Sequence, residues 1–483
     1  MADDLWNRGL DAARRHGAAY ADIRVIREQR ESVQVKNGTV EAVSSEQNSG
    51  FGIRVLAGGA WGFASSFDYR PEELERVAMD AVVIARASAR VGRGRPLELP
   101  PLPAVCDSYK TALREDPFQV KLEDRVELLL DADRLMRANA AVRVAQGGIT
   151  ALREKQLFAS TDGQVIEQEF VETGGGISAT CVASGEMQRR SYPSSFGGDV
   201  AQAGYEYVRG MDLPGHAEEC AAGAAALLAA PQCPSGKFDV ILESSQLALQ
   251  IHESCGHPVE LDRVFGQEAG FAGTSFLTTE KLGNFRYGSE HVNVVADATA
   301  PGGLGTYKYD DEGVPGQRVQ IIDRGMFVSY LTSRETAAEL GQESNGTMRA
   351  DGWNRMPIIR MTNISLEPGD WELDELVRDT KNGLYLVTNK SWSIDDRRLN
   401  FQFGTEAGYE IKDGALGGLV KNPTYTGITP EFWGSCDAVC GKEAWHLWGL
   451  PNCGKGEPPQ TAHVGHGASP TRFRGVRVGV GKW

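Results

Sequence analysis

The chain has 483 residues, of which 41% are hydrophobic and 24% charged, and its formal net charge is -15. This length exceeds what one hydrophobic core usually spans, so at least two domains are expected, and the ordinary composition excludes a disordered or fibrous chain. The acidic balance without a basic run excludes nucleic acid as a partner, because proteins that bind it concentrate Lys and Arg on one surface.

The chain begins with acidic residues, where a secretory signal would carry basic residues and then an apolar core. Its most apolar run, residues 221–230, is about half the length that spans a bilayer. The eight cysteines are too scattered to indicate a disulfide framework. We therefore expect a cytoplasmic protein outside the membrane, in which a cysteine with a role is a metal ligand or a nucleophile.

The N-terminal half, residues 1–230, is predicted to be an α+β domain with a sizeable antiparallel sheet. The helical patterns cover residues 5–15, 71–90, 122–138 and 204–230. The strand-like segments cover residues 21–26, 32–35, 39–44, 52–56, 142–152, 155–160 and 165–173. Between two of these strands, Asn37-Gly38 predicts a tight hairpin turn.

Loop composition at residues 231–236 places a domain boundary near residue 231. The C-terminal half, residues 231–483, begins with a short apolar strand at 238–242 and is rich in glycine. Further strand-like segments lie around Val292, Val319, Ile358, Leu384, Phe401 and Glu410. This half is predicted to be a largely β domain with a few inserted helices.

Two histidines and a carboxylate form a cluster in this half, with His252-Glu253 followed by His257. Residues five apart on a straight α-helix lie about 140° apart around its axis, so the two histidines cannot share a face. The helix must end or bulge between them. Gly256 and Pro258 favour an end that turns His257 out of the α region, and a π-type bulge would bring the rings together equally well.

This cluster indicates a zinc site with hydrolytic chemistry. A catalytic zinc usually has three protein ligands and a water whose pKa falls to about 7, and a neighbouring carboxylate takes the proton of that water. His252 and His257 are the predicted ligands, and Glu253 is the predicted general base. The local residues leave the third ligand open among Cys255, Glu260, Cys453, His463 and His466.

The same residues resemble the marker motif of the TldD/PmbA peptidases, in particular of the TldD-like subunit that carries the metal. The motif HExxxHxxExD is matched by His252, Glu253, His257, Glu260 and Asp262. Other similar segments cover nearly the whole chain and begin at Lys36, Gly50, Trp61, Asp310, Tyr330, Arg360, Cys453 and Gly465. This coverage makes the resemblance far more specific than the short metal motif alone.

The resemblance implies Zn²⁺ bound by His252, His257 and Cys453, with Glu253 as the catalytic carboxylate. It also implies a two-domain subunit that dimerises around an internal chamber, where unfolded peptides are cut in an extended form. Family members act as homodimers or together with a metal-free PmbA-like subunit.

Three acidic residues are candidates for supporting roles. Glu260 and Asp262 are predicted to orient the metal ligands, as carboxylates often do around metal-bound imidazole. Asp311 lies in an acidic turn and is a candidate for contacting the peptide, although such a turn needs no chemistry. Solvent-exposed or structural roles are the alternatives for all three.

Two other functions remain open from the residues. A non-catalytic, zinc-stabilised scaffold could bind peptides or a partner subunit, but a closed structural site has no need of the base Glu253. A thiol hydrolase could use Cys453 as nucleophile with His463 or His466 as base. A separate structural zinc site at Cys436, Cys440 and Cys453 has a spacing that matches no common zinc finger.

Overall fold

The computed structural model describes residues 5–92, 96–183, 185–271, 273–457 and 459–479. Its architecture is α+β, as the sequence predicts, with helices packed against an N-terminal sheet and a C-terminal part that is largely β. None of the helices in these ranges combines the length and the apolar character that crossing a bilayer requires.

One eight-stranded sheet organises the N-terminal half. Its elements in chain order are α1 Leu5–Arg15, β1 Tyr20–Lys36, β2 Thr39–Ala57, β3 Ala60–Ser66, α2 Pro71–Val91, β4 Cys106–Lys110, α3 Leu122–Arg137, β5 Val142–Ser160, β6 Val165–Ala183, β7 Glu186–Tyr192, β8 Asp199–Ala201, α4 Glu206–Met211 and α5 Ala217–Ala229. The strand order is β3-β2-β1-β5-β6-β4, and β7 and β8 also pair with β6. Every pair is antiparallel except β4 with β6, so the predicted antiparallel sheet is confirmed in its main part.

The strands of this sheet are longer than predicted. Strands β1, β2 and β5 each join two of the short segments that the sequence indicated. Strand β1 pairs with β2 on one side and with β5 on the other over most of its length. This pairing keeps the middle of β1 in the sheet, although that part has too few apolar residues to be predicted as a strand. Asn37 and Gly38 form the predicted two-residue turn between β1 and β2, with φ angles of 50° and 81°.

The single helix predicted over residues 204–230 is wrong, because the chain forms the two helices α4 and α5 instead. Asp212 ends α4 in a left-handed conformation with a φ of 47°. Pro214 follows it and cannot donate a backbone hydrogen bond to a continuing helix.

The C-terminal half contains most of the strands. Its elements are β9 Gly236–Leu242, α6 Ser244–Ile251, α7 Leu261–Val264, β10 Val294–Asp297, β11 Arg318–Asp323, β12 Met326–Phe327, α8 Arg334–Glu339, β13 Met348–Arg349, β14 Ile358–Ile359, β15 Ile364–Leu366, α9 Leu373–Asp379, β16 Asn382–Ile394, β17 Asn400–Lys412, β18 Ala415–Lys421, β19 Thr424–Ile428, α10 Thr429–Gly434, β20 Cys436–Val439, β21 His446–Lys455, β22 Gln460–Ala468 and β23 Thr471–Val478. The segments predicted around Phe401 and Glu410 belong to one strand, β17.

The largest sheet of this half closes on itself. Its strands follow the order β16-β9-β23-β19-β17-β18, β20 pairs with β23, and β16 also pairs with β17. A four-stranded sheet, β12-β11-β10-β15, and the two-stranded ribbon β21-β22 lie beside it. Among the described residues, the last strand of the N-terminal sheet ends at Ala201 and the closed sheet begins with β9 at Gly236, and the domain boundary near residue 231 stays a prediction.

Helix α6 follows β9 directly and packs into the main hydrophobic core. Leu247, Ile251 and Cys255 are spaced four residues apart and are fully buried in that core. Strands β16 and β22 pack against the helix. The C-terminal end of α6 is therefore held firmly in the interior.

Candidate metal centre

The two motif histidines converge because the helix widens after α6. The turn His252–Gly256 is π-helical, and the backbone N–H of His257 donates to the carbonyl of His252 five residues earlier. The ring centroids of the two histidines lie 4.8 Å apart at an interplanar angle of 82°. Of the two routes that the sequence left open, the structure therefore takes the π-type bulge.

Buried neighbours stabilise this wider turn. The carbonyl of Ser254 accepts a hydrogen bond from the hydroxyl of Tyr287, and the Ser254 hydroxyl accepts one from the indole N–H of Trp433 at 2.8 Å. A Cβ atom on Gly256 would lie 2.2 Å from the sulfur of Met361, so this glycine is needed for close packing. The expectation that Pro258 turns the preceding histidine out of the α region is wrong, because that residue keeps φ and ψ of -58° and -39°.

Cys453 completes a set of three potential ligands. One ligand atom from each of His252, His257 and Cys453 lies within 4.8 Å of the others, and all three residues are buried. The Cys453 Sγ and His257 Nε2 atoms are 3.7 Å apart. A tetrahedral zinc with bonds of about 2.3 Å to sulfur and about 2.0 Å to nitrogen would separate such atoms by about 3.5 Å. The donor set therefore fits zinc in both chemistry and spacing.

Of the other candidates for the third ligand, Glu260 and His466 contact the Nδ1 atoms of the ligand histidines, and Cys255 and His463 have different surroundings. Cys255 is part of the hydrophobic core, and the Nδ1 atom of His463 contacts the Glu172 carboxylate. Cys436 and Cys440 are buried, but within the described ranges no group of three potential ligands other than the set above has the spacing for a metal. The separate structural zinc site weighed from the sequence therefore has no counterpart among the described residues.

A chain of hydrogen bonds fixes the tautomer of His252. The Nδ1 atom of His466 lies 3.0 Å from the carbonyl of Ile364, which can only accept, so that nitrogen carries the proton. The Nε2 atom of His466 must then accept, and it lies 2.8 Å from Nδ1 of His252. His252 donates there and keeps the lone pair of its own Nε2 for a metal. This relay is how buried metal-binding imidazoles are commonly oriented.

The carboxylate of Glu260 fixes the tautomer of His257 in the same way. Its Nδ1 lies 2.9 Å from Glu260 Oε2, which leaves Nε2 directed at Cys453. The Glu260 side chain is fully buried, and its second oxygen lies 3.5 Å from the ammonium of Lys455. Glu260 thus has the contact that the sequence predicted for it. Asp262 does not contact a histidine ligand and instead accepts hydrogen bonds from Lys455 at 2.7 and 2.8 Å.

Burial keeps the imidazoles neutral. It lowers the pKa of His252 to about 4 and those of His257 and His466 well below the usual range for histidine. Burial alone would raise the pKa of the Cys453 thiol, but the positive charge of Arg360 and the neighbouring His257 outweigh it, so the pKa of Cys453 lies below its ordinary value. Neutral imidazoles and an easily ionised thiol are the forms that bind metal.

Glu253 follows the potential ligand His252 in the π-helical turn and forms an ion pair with Arg398. The side chains of Glu253 and Arg398 are 8% and 13% exposed, so both groups are largely shielded from bulk water. Arg398 cannot be identified from the sequence, because nothing around residues 395–400 distinguishes it from a surface turn rich in charges.

Asp311 lies where the two halves of the chain meet, and its contacts do not include the histidine ligands. It accepts hydrogen bonds from the side chains of Arg24 and Gln156 and, at 2.7 Å, from the backbone N–H of Ala350. Its neighbour Glu312 accepts a hydrogen bond from Arg54. These contacts tie the acidic turn to the N-terminal sheet, and a role of Asp311 toward peptide stays a prediction.

Three models of one protein family match most of the chain. Residues 21–85, 115–228 and 235–479 match the models for the PmbA/TldA metallopeptidase domain 1, central domain and C-terminal domain, respectively. A metalloprotease of Methanocaldococcus jannaschii is 33% identical over 420 residues, which are 87% of this chain and 89% of that protein.

One further protein is similar to the chain in sequence, and another is similar to it in fold. A protein of Saccharolobus solfataricus named as a zinc metalloprotease TldD homolog is 33% identical over 198 residues, 40% of this chain and 42% of its own length. The crystal structure of TldE from Thermococcus kodakarensis has a TM-score of 0.76 and 16% identity, covering 99% of this chain and 100% of that one. At this identity the likeness to TldE concerns the fold alone.

Proposed function

Since the chain belongs to the TldD/PmbA family of metallopeptidases, we propose that it is a zinc-dependent peptidase in which Glu253 is the general base. The observation that carries the proposal is the convergence of the ligand atoms of His252, His257 and Cys453 within 4.8 Å, with Glu253 next to the first of them. A structural zinc site usually has four protein ligands, whereas three ligands with an adjacent carboxylate are typical of a hydrolytic site.

Zinc is the metal that this donor set favours. Two imidazoles and a thiolate suit zinc better than magnesium or calcium, which prefer oxygen ligands. The name of the Saccharolobus relative supports the same choice. When bound, zinc would act as a Lewis acid toward a water molecule and the carbonyl of the scissile peptide bond.

The role of Glu253 follows from its position. As the water oxygen forms a bond to the carbonyl carbon, Glu253 accepts a proton from that water, and the carbonyl oxygen gains a negative charge. The C–N bond then breaks, and Glu253 passes the proton to the departing amine nitrogen. One water molecule thus supplies the hydroxyl of the new carboxyl end and the proton of the new amino end.

We further propose unfolded peptides in an extended form as the substrates. The working unit in this proposal is a dimer that encloses a chamber, either of two identical chains or with a metal-free PmbA-like subunit. Membership of the family supports this arrangement. Light scattering after gel filtration would test it, and a purified chain that stays monomeric and is active would contradict it.

The activity is tested by removing and restoring the metal. Hydrolysis of an unfolded reporter peptide should stop after chelation and return with added Zn²⁺. Glu253→Gln should keep its zinc but lose turnover by about 10²–10⁴-fold, whereas Glu280→Gln, at an exposed position, should behave like the natural chain. Cys453→Ser should lower the zinc content.

The same experiments distinguish the two alternative functions. A thiol hydrolase would keep its activity without metal, and a scaffold would bind zinc and peptide but never cleave the peptide. Normal turnover by Glu253→Gln would remove that residue from the mechanism.

A further inference from the structure

Arg398 has a backbone conformation that arginine rarely adopts. Its φ is 62°, in the left-handed region, which is strained for a residue other than glycine. The surrounding turn enforces this conformation: the Arg398 N–H donates to the carbonyl of Asp395 at 2.9 Å, and the Thr429 hydroxyl donates to the Arg398 carbonyl at 2.9 Å. The Asp395 side chain also accepts from the N–H of Leu399 at 2.8 Å. Strain maintained in this way tends to occur at functional sites.

The side chain of Arg398 runs from this turn to the metal centre. Its Nη1 donates to Glu253, as described above. Its Nε is buried and has no hydrogen-bond partner among the described residues. Besides burial, the charge of Arg398 is one of the causes that lower the pKa values of both His252 and His257. A cation with an unused donor therefore lies in contact with the proposed general base, Glu253.

The positive charge of Arg398 can interact with the negative charge both before and after that charge moves during hydrolysis. Before reaction, the negative charge next to Arg398 is on the Glu253 carboxylate. When Glu253 accepts the proton of the attacking water, its carboxyl becomes neutral and the negative charge passes to the carbonyl oxygen of the substrate. A fixed guanidinium that contacts Glu253 and can reach the carbonyl oxygen would lose one anionic partner as the other forms, so it would stabilise the transition state more than the bound substrate.

We propose that Arg398 is a catalytic residue whose guanidinium donates a hydrogen bond to the oxyanion formed on the scissile carbonyl. This inference rests on the proposed peptidase function and adds a residue to it. The alternative is that Arg398 only positions Glu253, and the experiment below separates the two.

The test compares Arg398→Gln, Arg398→Lys and Arg397→Gln, all loaded with zinc. Arg397 is the adjacent, exposed arginine and serves as the matched control. Arg398→Gln should keep its zinc and its KM for an unfolded peptide, but kcat should fall by about 10²–10³-fold, as when one oxyanion donor is removed. Arg398→Lys, which keeps the charge, should recover part of this loss, and Arg397→Gln should show none.

Binding of a phosphinic peptide gives a readout that needs no turnover. Its tetrahedral, anionic phosphorus group imitates the oxyanion, so Arg398→Gln should weaken its binding by a factor similar to the loss in kcat, while binding of the ordinary peptide stays unchanged. If kcat fell but phosphinic affinity did not, Arg398 would only position Glu253 and the inference would be wrong. Unchanged kcat would also overturn it. Failure of the natural chain to cleave any peptide would instead count against the proposed function.

Discussion

At the scale of single residues, the candidate metal centre depends on groups outside the proposed ligand set. The Nδ1–H of His252 donates a hydrogen bond to His466, and the Nδ1–H of His257 donates one to Glu260. Each imidazole therefore has its Nε2 atom available for a metal. Partners of this kind raise the basicity of a metal-bound imidazole and prevent the ring from rotating. The affinity for zinc should therefore respond to residues one step removed from the ligands.

We predict that His466→Ala lowers zinc affinity by about 10–100-fold, because His252 loses the acceptor that fixes its tautomer. Competition with a chromophoric chelator at neutral pH would measure this change. His463→Ala is the matched control, since His463 lies on the same strand but its imidazole contacts Glu172. Equal zinc affinities of the His466 and His463 variants would contradict the relay.

The sequence predicted the part of the site that is local in the chain. His252, Glu253 and His257 were identified from their own spacing, whereas Cys453, 196 positions from His257, was favoured only through resemblance to a family. Arg398 gave no signal, because its importance comes from a backbone conformation and from a contact with a residue 145 positions away. Neither is visible in composition or periodicity.

At the scale of elements, the site depends on the π-helical turn after α6. The sequence shows that a regular α-helix cannot continue from His252 to His257. It does not show which irregularity replaces it, because the stabilising partners Tyr287, Trp433 and Met361 come from distant segments. Regular helices with a clear apolar stripe, such as α2 and α3, were predicted to within a residue or two.

We predict that Gly256→Ala destabilises the protein by about 1–3 kcal/mol and lowers its zinc content, because the new methyl group overlaps with the fully buried Met361. Thermal unfolding and metal analysis would measure both effects. Gly210→Ala, in helix α4 with open space around it, should be neutral or slightly stabilising. In the background of Met361→Ala, Gly256→Ala should cost less stability than it does in the natural chain, and an equal cost in both backgrounds would locate the strain elsewhere.

At the scale of the whole molecule, buried charges join the two halves. Arg54 on β2 contacts Asp22 at 2.7 Å and Glu312 at 3.1 Å, and all three side chains are 1% exposed. Neither composition nor periodicity indicates this network, which links residues 258 positions apart. Nearby, a cavity of about 100 Å³ is lined from both halves, and Glu154 is one of its acidic residues.

Glu154 should make stability depend on pH. Burial and then the nearby carboxylates of Asp311, Glu28 and Glu172 raise its pKa to about 8. Between the pKa of the unfolded chain, about 4.3, and this value, the folded state binds the extra proton, so stability falls as the pH rises through this range.

We therefore predict that Glu154→Gln matches the natural chain near pH 4 but is more stable at pH 9. The difference should be about 1–3 kcal/mol, less than the whole shift would give, because Glu154 is only partly buried and solvent screens its charge. Melting temperatures at both pH values would measure it. Glu127→Gln, on the exposed side of α3, should have no such pH dependence, and parallel curves for the two variants would contradict the prediction.

The histidine relay also has a consequence for spectroscopy. Its two Nδ1–H protons, on His252 and His466, are enclosed in the protein interior and exchange slowly with water. Such protons give separate resonances far downfield in a one-dimensional proton NMR spectrum, beyond the crowded amide region. Their positions would report the assigned tautomers directly, which diffraction at ordinary resolution cannot do. Titration with zinc would shift them, so metal loading could be followed without a substrate.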